Sequence, residues 1–113
     1  MTILRALGCG LTLALASCVT PTIDRSGAHD LVEQQHALLL DVRSRDEYAE
    51  RHLEGALNIP VGELEGRLAE LEDRKAGPIV VYCRSGRRSE RAMNLLRAHG
   101  FTRVENLGGI KNW

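Results

Sequence analysis

PIVVYCRSGRRSERAMNLLRAHG, residues 78–100, joins two different periodicities through a short polar turn. The apolar run PIVVYC enters from Gly77–Pro78 and is rich in β-branched residues, the pattern of a strand covered on both faces. From Ser89 to His99 the apolar spacing becomes helical, and Gly100 supplies the C-terminal cap. The turn RSGRRS must reverse the chain in a few positions, which Gly86 permits through positive φ. Cys83 thus stands at the carboxyl end of a strand, followed by Arg84, Arg87, Arg88 and Arg91. Loops at that end of an open parallel sheet are where ligands bind.

Outward from this segment, strands and helices alternate. AHDLVEQQHA (28–37) has Ala28, Leu31 and Val32 on one side of a short helix, with Ser26 or Asp30 near its start as cap. LLLDV (38–42) is a second buried strand. SRDEYAERHLEG reads as a helical turn capped by Ser44 and closed near Gly55. ALNIP is a short strand stopped by Pro60, and residues 61–74 place Leu64, Leu68 and Leu71 on one helix face. FTRVENL (101–107) is the last strand. This alternation predicts an α/β fold with parallel strands joined by right-handed crossovers.

Composition agrees. The 113 residues give room for one domain, and with one Phe, one Trp and two Tyr the core must be aliphatic. Fifteen basic and fifteen acidic side chains cancel, so no overall field draws the protein to nucleic acid. Any anion site is local. His29, His36, His52 and His99 are scattered and suggest no metal site.

The first residues do not belong to the fold. Arg5 precedes an apolar run, Ala6 to Ala16, that is shorter than the roughly 20 residues of a membrane-spanning helix, the layout of a signal peptide. Its end, Leu15-Ala16-Ser17-Cys18, resembles the bacterial lipobox, in which the cysteine is lipid-modified and becomes the mature N-terminus. The expectation is a signal peptide over 1–17, then a single domain over 18–113 that includes a short tether, held by lipid on Cys18 to the periplasmic side of a membrane. An ordinary secretory peptide or an uncleaved anchor would also put the domain outside the cytoplasm. With Cys18 lipidated, Cys83 is the only other thiol of the mature chain, so no intrachain disulfide forms. A single retained thiol in an oxidising compartment invites a chemical role, although free cysteines also serve as small hydrophobes.

Successive N–H groups of the 84–88 turn can form an anion nest, helped by the dipole of the following helix and by three arginines. A thiol in that field loses its proton more readily, as a cysteine nucleophile requires. Cysteine phosphatases and related arsenate reductases use C-x5-R, but position 89 is serine. Arg88 closes a smaller ring, Cys83 to Arg88, and its C-x-x-G-x-R pattern resembles the active-site loop of the rhodanese family of sulfurtransferases. LLLDVRSRDEYAERHLEGALNIP is similar to that family's first signature, with Glu47 and Tyr48 as its acidic-aromatic pair and Arg51 where glycine is more frequent. NLGGIKNW resembles its closing signature.

The resemblance covers about residues 22–113 and implies a three-layer α/β/α domain around a parallel sheet of about five strands. It implies a sulfurtransferase that carries sulfur as a Cys83 persulfide and needs no metal or cofactor. Main-chain N–H groups across Arg84, Ser85, Gly86, Arg87 and Arg88 would cradle the persulfide, and Arg84 and Arg88 would hold a small anionic donor. The acceptor would be a thiol or cyanide. Asp41 and Arg43 would brace the cysteine loop through hydrogen bonds. The expected donor is thiosulfate, which Arg84 favours, with mercaptopyruvate and low-molecular persulfides as alternatives; the protein is expected to act as a monomer. A non-catalytic or sulfur-carrier module of the cell envelope is the competing reading.

Overall fold

The computed structural model describes residues 22–113. The expected signal peptide and Cys18 lie outside the described residues. Four strands, β1 (Leu38–Asp41), β2 (Leu57–Asn58), β3 (Pro78–Cys83) and β4 (Arg103–Gly109), form one sheet in the order β2-β1-β3-β4. Every pairing is parallel, with Leu40 opposite both Leu57 and Val81, and Val81 opposite Asn106. The described sheet has four strands, close to the expected five.

Strand periodicity assigns the two faces. Leu40, Ile79, Val81 and Cys83 pack with Ala92, Met93 and Leu96 of α4 (Arg87–Ala98) and with Leu64 and Leu71. Leu39, Val80 and Tyr82 point the other way, onto Ala28 of α1 (Arg25–Gln34) and onto Ala37, Ala56 and Leu107. Both faces of β3 are therefore covered, which is why PIVVYC reads as a continuous apolar run. The same parity puts Cys83 on the α4 side.

Several helix boundaries differ from the sequence expectation. α1 begins earlier, because the Asp24 carboxylate accepts from Gly27 N at 2.8 Å, so the cap is neither Ser26 nor Asp30. α2 spans only Arg45–Glu50, fixed by a reciprocal capping box: Glu47 N donates to Ser44 Oγ and Ser44 N donates to the Glu47 carboxylate. Residues 61–74 are not one helix. α3 (Val61–Leu64) passes into 3-10 turns over Glu65–Arg74, with a non-helical φ of −121° at Arg67, yet Leu64 and Leu71 are still buried. α4 starts at Arg87, two residues before Ser89, and β4 runs on to Gly109.

That extension of β4 shapes the site. Between Val81 and Tyr82 the β3–β4 register slips: Val81 faces Asn106 but Tyr82 faces Gly108. The buried Asn106 side chain accepts from Gly108 N at 2.9 Å and stabilises this bulge. Gly109 then lies hard against the cysteine loop. A Cβ there would stand 2.5 Å from the Arg84 carbonyl oxygen, so only glycine fits.

Candidate active site

Cys83 ends β3, and its side chain has no exposed surface. The chain turns at once through Gly86, whose φ of +108° is a left-handed conformation that favours glycine, and enters α4. This geometry brings Gly86 N to 2.9 Å and Ser89 N to 3.4 Å from Cys83 Sγ. Ser89 Oγ lies 3.4 Å from the sulfur, and its hydroxyl also donates to Gly86 O at 3.0 Å. A hydroxyl has one hydrogen, so it cannot serve both at full strength. While the thiol is protonated, Sγ–H donates to Ser89; in the thiolate, Ser89 turns its hydrogen to sulfur.

Burial alone pushes the Cys83 thiol up, but the Ser89 hydroxyl and the backbone N–H groups of Ser89, Gly86 and Ser85 outweigh it and hold the thiol below its ordinary range. The first turn of α4 adds its positive end. Sequence reasoning used Ser89 only to exclude a longer loop. Its position six residues beyond the cysteine, in the first turn of the helix, was the available signal.

The arginines separate into different roles. Arg88 is tied to Glu47 by a bidentate pair at 2.7 and 3.0 Å, which clamps the start of α4 to α2. That pair, with the Ser44 contacts, holds the Glu47 carboxyl at about 2. Arg84, Ser85 and Arg87 are exposed. Asp41 and Arg43 form a buried bidentate pair, the shortest contact 2.7 Å, and Arg43 also donates to Arg51 O at 2.6 Å. Their hydrogen bonds bind the end of β1 to the 51 turn and do not reach residues 84–88. Arg43 lies over the buried Tyr82 ring, 5.6 Å from its centroid, and the Tyr82 hydroxyl accepts from Leu53 N at 3.1 Å. The pair thus supports the floor next to the cysteine loop.

Beside the loop is a half-open depression of about 230 Å³, lined by Arg43, Glu47, Glu50, Arg51, Arg84 and Ile110. Among the described residues no group of three or more His, Cys, Asp or Glu is placed to hold a metal ion.

A parallel α/β domain that ends its central strand on a buried cysteine, ringed by N–H donors at a helix N-terminus, defines a class of anion-handling, cysteine-centred domains. Residues 25–113 match the family described as Rhodanese-like domain, and the chain belongs to that family. It is 41% identical over 73 residues to "Thiosulfate sulfurtransferase PspE" of Escherichia coli (strain K12), covering 65% of this chain and 70% of the relative. It is 36% identical over 106 residues to the human "Thiosulfate:glutathione sulfurtransferase", covering 82% and 92%. Two further relatives from Bacillus subtilis (strain 168) are matched over only 50% and 60% of their length. The fold superposes on the human single-domain sulfurtransferase structure with a TM-score of 0.71 at 34% identity, covering 80% of this chain and 91% of that one. It superposes on "rhodanese with anions from E. coli" with a TM-score of 0.64 at 39% identity, covering 68% and 91%. The family level of function is therefore that of the rhodanese-like sulfurtransferases.

Proposed function

We propose that the protein is a thiosulfate sulfurtransferase that carries sulfur on Cys83. The observation behind this reading is the ring of donors around Cys83 Sγ, which favours a thiolate at the N-terminus of α4. The thiolate attacks the outer sulfur of thiosulfate; the new Sγ–S bond forms as the S–S bond of the donor breaks, and sulfite leaves with the bonding pair. The anionic outer sulfur of the Cys83 persulfide replaces the thiolate as the acceptor of the loop N–H groups. Cyanide or a thiolate then attacks that outer sulfur, and the electron pair returns to Sγ. Arg84, exposed and next to Cys83 in the chain, draws the dianion toward the sulfur. Arg88, held by Glu47, acts chiefly by fixing the helix start.

A periplasmic domain attached through lipid on Cys18 is the second part of the proposal, supported by the apolar run 6–16 and by Leu15-Ala16-Ser17-Cys18. Thiocyanate formation from thiosulfate and cyanide tests the enzymatic claim. Parallel double-reciprocal lines and no turnover by Cys83→Ser are expected; equal turnover by that variant would overturn it.

A further inference from the structure

The depression next to Arg84 contains more charge than a thiosulfate site needs. Of its lining groups, Arg43 is committed to Asp41 and Glu47 to Arg88. Among the described residues, no side-chain hydrogen bond or ion pair engages Glu50, Arg51 or Arg84. Two cations and one carboxylate therefore face one small volume without partners, and Ile110 gives it an apolar wall. A dianion would use Arg51 and Arg84 but would be repelled by Glu50. A ligand with a carboxylate and an ammonium group satisfies all three.

Size narrows the ligand further. The volume of about 230 Å³ is many times the roughly 10–15 Å³ that admits one water molecule on the same measure. That suits an amino-acid-sized group, and the open side leaves room for the rest of a larger molecule. Because Arg84 directly follows Cys83, a ligand seated there is next to the sulfur carrier.

We infer that Glu50, Arg51 and Arg84 form an acceptor subsite for a low-molecular-weight thiol bearing an α-amino acid group, with Glu50 on its ammonium and the arginines on its carboxylate. This inference rests on the persulfide reading above. The bound thiolate forms an S–S bond with the outer sulfur of the Cys83 persulfide, the Sγ–S bond breaks, and Sγ regains the electron pair as thiolate. The acceptor leaves as its own persulfide. Ping-pong turnover lets Arg84 serve the donor first and the acceptor second.

The test compares acceptors on the full-length protein, with thiosulfate as donor and sulfite release as the readout. Cyanide, which has neither charged handle, first establishes turnover. The kcat/KM ratio of cysteine to N-acetylcysteine, which lacks the ammonium, is then measured in wild type and in Glu50→Gln. The ratio of cysteine to cysteamine, which lacks the carboxylate, is measured in wild type and in Arg51→Met. Intrinsic thiol reactivity cancels when one ratio is compared between two proteins. Each ratio should fall about three- to tenfold in its own variant, the range for a charge-assisted contact in a partly exposed site. Glutathione as a third acceptor distinguishes a seat for the γ-glutamyl end from one for cysteine itself, according to which loses more in Glu50→Gln. Turnover with cyanide but unchanged ratios in both variants would overturn the subsite and leave the sulfurtransferase reading intact. No sulfite release with any acceptor would overturn both.

Discussion

Replacing Glu47 by Gln removes one charge from the clamp that fixes the start of α4, while an amide can still accept from Ser44 N and keep the capping box. In the folded protein the Glu47 carboxyl lies at about 2 against an ordinary 4.5. Taken at face value that difference is worth at most about 3 kcal/mol. Arg88 keeps 37% of its side-chain surface in solvent, so screening reduces the contribution to about 1 kcal/mol. For a domain of this size that corresponds to a fall in Tm of about 4–8 °C. A carboxylate whose folded pKa is depressed stabilises the protein above its unfolded value and loses that contribution as pH falls through the folded one. The gap between wild type and Glu47→Gln should therefore be full at pH 7, shrink as pH falls through about 4.5, and have lost most of its size by pH 3. Urea unfolding followed by circular dichroism at pH 7, 5, 4 and 3 measures it. A gap that stays constant from pH 7 to 3, or no gap at pH 7, would refute the reasoning.

Ser89→Ala removes a hydrogen bond to the sulfur, so the pH midpoint for iodoacetamide alkylation of Cys83 should move upward; an unmoved midpoint would leave the N–H groups as the whole cause. The same variant should lose about 1 kcal/mol of stability with the bond to Gly86 O. Gly109→Ala forces the Arg84 carbonyl away from a Cβ at 2.5 Å, which should cost about 1–3 kcal/mol and, by displacing the loop, slow sulfur loading about a hundredfold. In bacterial cells, incorporation of labelled palmitate should be lost in Cys18→Ala; labelling that persists would point to another anchor.

Much of the fold could be read from hydrophobic pattern alone. PIVVYC and LLLDV announced two covered strands because both faces of each are packed, and alternation with helices announced parallel pairing. Most of what local pattern missed depends on contacts between distant segments; the cap of α1 is a local exception. Asp24 caps α1 through a side chain three residues from its partner, and two nearer candidates looked equally suitable. The Glu47–Arg88 clamp joins residues 41 apart in sequence, so Arg84 and Arg88 were both expected on the donor when, of the loop arginines, Arg84 alone lines the depression. The bulge at Asn106 brings Gly108 and Gly109 into close backbone contact with the loop, which their place in NLGGIKNW does not announce. Cys83 and its loop were legible because strand, turn and helix are contiguous there.

The central claim is most directly tested in a single half-reaction. Reduced protein is mixed with thiosulfate without acceptor, and its intact mass is recorded before and after cyanide is added, with Cys83→Ser alongside. The account predicts a gain of one sulfur atom, lost to cyanide as thiocyanate and absent from the variant. A mass that does not change, or the same gain in Cys83→Ser, would contradict it.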